Sequence, residues 1–191
     1  MPARTRMLFA VSVAALLLPA CVFAQARTPA DENPITQAIR AEYGPLKLNL
    51  IEGAELMPAD GYGFKATPDV RTFGDLVAHV VVGTYNFCSA IQGEKAPAHG
   101  TQAEMAVMPK ADLVNAIKNA FSYCDRALEG MTDAKAMEVV PGPGGRAVRV
   151  KAMIVLVSHQ DEHYGTMAVY LRLKGLVPPS TARAQKGAPS I

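Results

Sequence analysis

The chain has no run of basic residues: its 19 Lys and Arg are scattered among 17 Asp and Glu over 191 positions. That removes the electrostatic footprint that nucleic-acid partners require. A membrane-spanning run is lacking too. The apolar stretch Met7 to Leu18 is 12 residues long, and a bilayer core of about 30 Å takes about 20 residues at ~1.5 Å each. Cysteine is scarce, with Cys21, Cys88 and Cys124 too far apart for a C-x-x-C redox or zinc motif. Convincing strands are missing as well, and no Asp or Glu follows Glu162. The last absence becomes decisive below.

What is present begins with a leader pattern. Arg4 and Arg6 precede the apolar run, and Val22-Phe23-Ala24 or Ala24-Gln25-Ala26 offers a small-residue cleavage point after it. This is the three-part layout of a secretory signal peptide over residues 1–26. Leu18-Pro19-Ala20-Cys21 also resembles a lipoprotein cleavage site, with Pro19 an awkward fit and Cys21 as the alternative anchor. Export to the periplasm or beyond is therefore the expectation. Removing the leader leaves 17 cations and 17 anions, hence almost no net charge. The remainder is long enough for one domain with a real core. That domain is expected over 27–180, with a small, polar, disordered tail over 181–191.

Four segments carry the helical period. Asn33 then Pro34 read as an N-cap and first-turn proline, followed by Ile35, Ile39, Tyr43, Leu46, Leu50 and Met57 at spacings of three and four. The first helix is thus 34–57, with Pro45 expected to kink it near Ala41. A Gly/Pro/Asp-rich connection carries Tyr62 and Phe64, aromatics that favour packing on the core over waiting for a ligand. Thr72 and Asp75 form a capping-box start for a second helix over 73–91. Pro109 opens a third, ending near Gly130, and residues 131–145 read as irregular. A fourth runs over 147–174 before Gly175, with Pro178-Pro179 preventing resumption.

The fold class is all-α, a four-helix bundle. Its second and third helices are joined by 17 residues, 92–108, where antiparallel neighbours need only a few. A connection of that length can span a helix roughly 28 Å long, making the two helices parallel. Cys88 and Cys124 each lie 15 residues into those helices, counted from Phe73 and Pro109. Parallel helices starting level would put them at one depth and allow a disulfide; the alternative is two buried free thiols.

Three of the four histidines fall on helices: His79, His159 and His163. His159 and His163 are four apart, so both imidazoles share one helical face. Three imidazoles leave open coordination positions on an ion, which suits catalysis, and imidazole suits zinc or nickel. Taken alone, His79 reads as a capped or hydrogen-bonded core histidine sooner than as a ligand, and His99 reads as solvated. His159 to His163 also spells H-x-x-E-H, the inverted zinc-peptidase signature. That scheme needs a downstream acid as third ligand. None follows Glu162, so the peptidase reading fails.

Phe64-Lys65-Ala66-Thr67-Pro68-Asp69 through Leu76-Val77-Ala78-His79 resembles the first signature segment of DinB-like (YfiT-like) bundle proteins. Glu162-His163-Tyr164-Gly165, then Tyr170 to Gly175 and Pro178-Pro179, resembles their last helix. The resemblance implies an up-down-down-up bundle, a divalent-metal site on His79, His159 and His163, and a homodimer. It also implies a metal-dependent enzyme acting on a small molecule. Hydrolysis is the preferred reaction. The alternatives are thiol-dependent S-transfer and a non-enzymatic bundle that binds metal or a small ligand. Glu162 and Tyr164, with Asp75, are the candidates for proton transfer or for supporting the metal ligands.

Overall fold

In a computed structural model of the chain, residues 32–141 and 145–187 are described. The leader and the Cys21 site lie outside the described residues. The four long helices are α1 (Pro34–Leu56), α2 (Phe73–Gln92), α4 (Lys110–Leu128) and α6 (Arg149–Leu173). The crossover between α2 and α4 carries a short helix α3 (Gln102–Ala106). A one-turn α5 (Asp133–Ala136) and a minimal hairpin, β1 (Val139–Val140) with β2 (Ala147–Val148), lie between α4 and α6. The bundle is all-α apart from that two-residue ladder.

Side chains start two of the long helices. α2 opens on the expected capping box: the Asp75 N–H donates to Thr72 Oγ1 (3.0 Å) and the Thr72 N–H to the Asp75 carboxylate (3.1 Å). α1 begins at Pro34, but Asn33 does not cap it by itself. The free N–H groups of Ile35 and Thr36 donate to the Asp133 carboxylate at 3.1 and 2.8 Å, and Asn33 Oδ1 accepts the Asp133 N–H at 2.9 Å. The turn α5 therefore caps α1 from across the bundle. α1 continues through Pro45 to Leu56 as one helix.

Contacts between residues fix the directions. Tyr43 donates to Asp125 on α4, while Glu55 on α1 pairs with Lys118, so α1 and α4 run antiparallel. A Cβ on Gly53 would meet Met167 and Leu171, and Ile39 lies beside Ile154 and Val157; α1 and α6 are parallel. Thr84 accepts a hydrogen bond from Gln160, and the Phe73 ring lies near that of Tyr170, which makes α2 and α6 antiparallel. Cys88 and Cys124 form a disulfide with their Cα atoms 5.1 Å apart, and the tilted rings of Tyr85 and Tyr123 lie 5.5 Å apart, so α2 and α4 are parallel. The bundle is up-down-down-up, and the crossover is what permits it. Leu50, Leu76, Ile117, Phe121, Leu156 and Met167 are wholly buried between the four helices.

Two expectations are corrected. The segment after Pro178 is not wholly irregular: Pro179–Gly187 is a helix, α7. Proline is well placed at the first helical position, and Ala, Arg, Gln and Lys favour helix, so the same prolines that end one helix start the next. The start of the fourth helix moves from 147 to 149 because Ala147 and Val148 pair with Val140 and Val139 instead. Among the described residues no helix is long and apolar enough to cross a membrane.

Candidate metal centre

His79 lies two turns into α2, and His159 and His163 occupy successive turns of α6 facing it. Because these helices are antiparallel neighbours, the three rings meet between them. His159 Nε2 is 3.2 Å from His79 Nε2 and 3.1 Å from His163 Nε2. One nitrogen from each of the three lies within 4.8 Å of the others, a group that could hold a metal ion. Two nitrogens on a tetrahedral ion with bonds of about 2.0–2.1 Å stand roughly 3.3 Å apart, close to the two short separations.

The hydrogen-bonding chemistry fits an ion. Gln102 Oε1 lies 3.0 Å from His79 Nδ1. An amide oxygen only accepts, so His79 Nδ1 donates in this pair and its Nε2 is the nitrogen left facing the cluster. Burial is the main cause that lowers the His159 pKa to about 4, followed by the charges of His163, His79 and Arg71. Burial also lowers that of His163. Both rings are therefore neutral at pH 7 and offer lone pairs. His159 Nδ1 is buried with no hydrogen-bond partner among the described residues. Three ring nitrogens facing one point cannot all satisfy one another, whereas a cation accepts a lone pair from each.

Two residues that sequence reasoning missed hold this geometry. Gln102 comes from the short crossover helix, which Thr101 and Glu104 start with a capping box. That box was readable in the sequence, but the meeting of Gln102 with His79 depends on how the crossover lies. Gly83 is the other. A Cβ there would stand 2.6 Å from His159 Cε1, so the ring lies directly on the α2 backbone. Gly83→Ala is expected to push the ring off its position and weaken divalent-metal binding at least ~10-fold, in the range seen when the partners orienting a ligand are lost. The melting temperature should change little, because alanine favours helix over glycine by about 1 kcal/mol. Calorimetric metal titration beside thermal melting checks this. Equal metal affinity would show that His159 does not need its present position.

The remaining candidates separate. Glu162 is exposed and lines the same cleft as His163. Among the described residues it has no Lys or Arg partner within ion-pair distance. The Tyr164 hydroxyl is engaged elsewhere: it donates to Ser180 Oγ at 2.7 Å and accepts the Ser180 N–H at 2.9 Å, anchoring α7. Asp75 holds its carboxylate in the α2 cap. His99 stacks on Tyr85, rings 4.8 Å apart, away from the other three histidines. Tyr62 is buried and donates to the Ala54 carbonyl at 2.7 Å, and Phe64 packs on Tyr170, so the loop aromatics belong to the core.

An up-down-down-up bundle with three histidines meeting between α2 and α6 defines a class of helical protein with a group that could hold a metal ion. Residues 49–167, more than half of the chain, match the family model of the DinB superfamily, and the chain belongs to that superfamily. Its fold is similar to that of a DinB-like protein from Bacillus cereus (TM-score 0.65, 15% identity, 75% of this chain and 95% of that one). It is also similar to the DinB-like protein YjoA from Bacillus subtilis (TM-score 0.56, 20% identity, 75% and 92%). A mycothiol-dependent maleylpyruvate isomerase shares the bundle as well (TM-score 0.54, 17% identity, 76% and 63%). No curated protein sequence matches the chain.

Proposed function

We propose that this protein is an exported, metal-dependent hydrolase of a small substrate, with His79, His159 and His163 holding zinc or nickel. The observation that carries the reading is the convergence of three imidazoles with no carboxylate or thiolate in the group. Such a donor set leaves coordination positions for water and substrate. A bound divalent ion would supply a water of lowered pKa and polarise a carbonyl. Glu162 lines the cleft with His163 and would accept a proton there. Tyr164 holds α7 and takes no part. The Cys88–Cys124 bond suits an oxidising compartment and therefore export. Val169 and Leu173, exposed apolar neighbours on α6, are the positions at which a second copy of the chain would pack.

Thiol-dependent group transfer is the second reading, favoured by the fold shared with the mycothiol-dependent isomerase. The test is turnover by zinc- or nickel-reconstituted protein on ester, amide and thiol-transfer substrates. Ester or amide hydrolysis that stops with chelator and returns with metal is the expected result. Thiol transfer alone would favour the second reading. Tight metal binding without turnover would leave a ligand-binding bundle and overturn both.

A further inference from the structure

The histidines lie on the seam between α2 and α6; one cleft is lined by His163, and a second opens further along the seam beyond the Phe87 ring. Because the helices are antiparallel, one turn towards the start of α2 is one turn towards the end of α6. There Leu76 faces Thr166 and Tyr170 across a cleft of about 530 Å³ that His163 also lines. In the other direction, Phe87 and Ala90 face Ala152 and Val155 across a smaller cleft of about 110 Å³, walled by Val140 and Val148 of the hairpin. The Phe87 ring meets the His159 ring edge-on at 5.0 Å, so it stands between this second cleft and the histidines.

The two clefts differ in chemistry. The smaller has apolar walls from Phe87, Val140, Val148, Ala152 and Val155. An apolar cavity of about 150 Å³ takes benzene, so this one suits a short alkyl chain. The larger contains Arg71, Asp69 and Glu162. The Arg71 carbonyl accepts a 2.6 Å hydrogen bond from the buried Tyr170, which fixes the backbone at the cleft wall. Its guanidinium has no carboxylate within ion-pair distance among the described residues. One cation and two acids leave the cleft with a net negative charge, and a divalent ion on the histidines reverses that sign. An anionic group then finds both the ion and an unpaired guanidinium, whose planar fork matches a carboxylate.

We infer that the substrate lies along this seam as a short-chain acyl compound, its alkyl arm in the Phe87–Val155 cleft and a carboxylate on Arg71. This rests on the metal reading above and names the substrate class for that site. Arg146 and Lys151 also border the smaller cleft; a carboxylate held by them would reverse the orientation.

Cobalt-loaded protein titrated with four hydroxamates, followed by cobalt absorption, tests the inference. Acetohydroxamate carries neither arm, pentanohydroxamate the alkyl arm, succinic monohydroxamate the carboxylate, and 2-propylsuccinic monohydroxamate both. The carboxylate is expected to tighten binding at least ~10-fold, as a charge-assisted pair does. Arg71→Ala should remove that gain and leave acetohydroxamate and cobalt affinities within about threefold. Val155→Phe should fill the smaller cleft and remove the gain from the alkyl arm alone, with cobalt uptake reporting that the variant is folded. A carboxylate gain that is absent, or that persists in Arg71→Ala, overturns the inference while the metal reading stands. An alkyl arm without effect overturns the assignment of the smaller cleft. Failure of the unmodified protein to bind cobalt sinks the metal reading and this inference with it.

Discussion

His163→Ala is expected to lower divalent-metal affinity by at least ~100-fold and to abolish metal-dependent turnover. Structural zinc sites with four ligands are worth about 10–16 kcal/mol, so one ligand in such a set carries roughly 3 kcal/mol or more. His163 is buried, its Nε2 stands 3.1 Å from that of His159, and its ring neighbours both other imidazoles. Alanine removes a third of the donor set, and no other described His, Cys, Asp or Glu joins the group to replace it. The bundle itself should persist, because the surrounding core of Leu76, Met167 and Tyr170 is intact. Competition with a chromophoric chelator measures the affinity, and circular dichroism reports the helices. An affinity within a few-fold of the unmodified protein would remove His163 from the site. Glu162→Gln is the companion: it should keep the metal and lose about 10²–10⁴ in rate, the usual worth of a general base.

Removing the disulfide is the second large effect. Cys88 and Cys124 are wholly buried and 36 residues apart in sequence. Loop-closure entropy for a ring of that size amounts to about 3–4 kcal/mol at 25 °C, within the common range for native disulfides. For a domain of this length each kcal/mol moves the melting point by about 2–4 °C, so Cys88→Ala with Cys124→Ala should melt about 10 °C lower. Reductant should do the same to the unmodified protein and nothing to the double variant. Equal melting points, or two free thiols titrated in denatured protein that had been exported, would contradict the pairing. The bond also closes α2 against α4, so its loss should act on the bundle as a whole and leave the metal donor atoms in place.

Much of the bundle could be read from spacing. The second helix was expected over 73–91 and runs over Phe73–Gln92. The parallel pairing of α2 with α4 followed from a long connection and two cysteines at equal depth. What escaped was short. α3, α5 and the hairpin have five, four and two-by-two residues, below the length at which periodicity speaks. α7 was hidden because Pro178-Pro179 was read as a stop only. The three histidines were visible as a pair at i and i+4 and a third on another predicted helix, and the resemblance put all three in one site. Gln102 and Gly83 were not, because each meets a histidine through contacts set by tertiary packing. Gly83 shows this most plainly: a glycine inside a helix looks like a weakness until the His159 ring is found lying on it. The capping box correctly placed Asp75 at a helix start and, by occupying its carboxylate, takes it out of the site.

The central claim is that His79, His159 and His163 together bind one divalent ion. It is tested most directly by elemental analysis of protein purified without a histidine tag and reconstituted with zinc or nickel. The account predicts about one equivalent of metal per chain, lost in His163→Ala, as expected for a site whose ligands are preassembled. Less than about a tenth of an equivalent after reconstitution would contradict it, since a true site of this kind binds tightly.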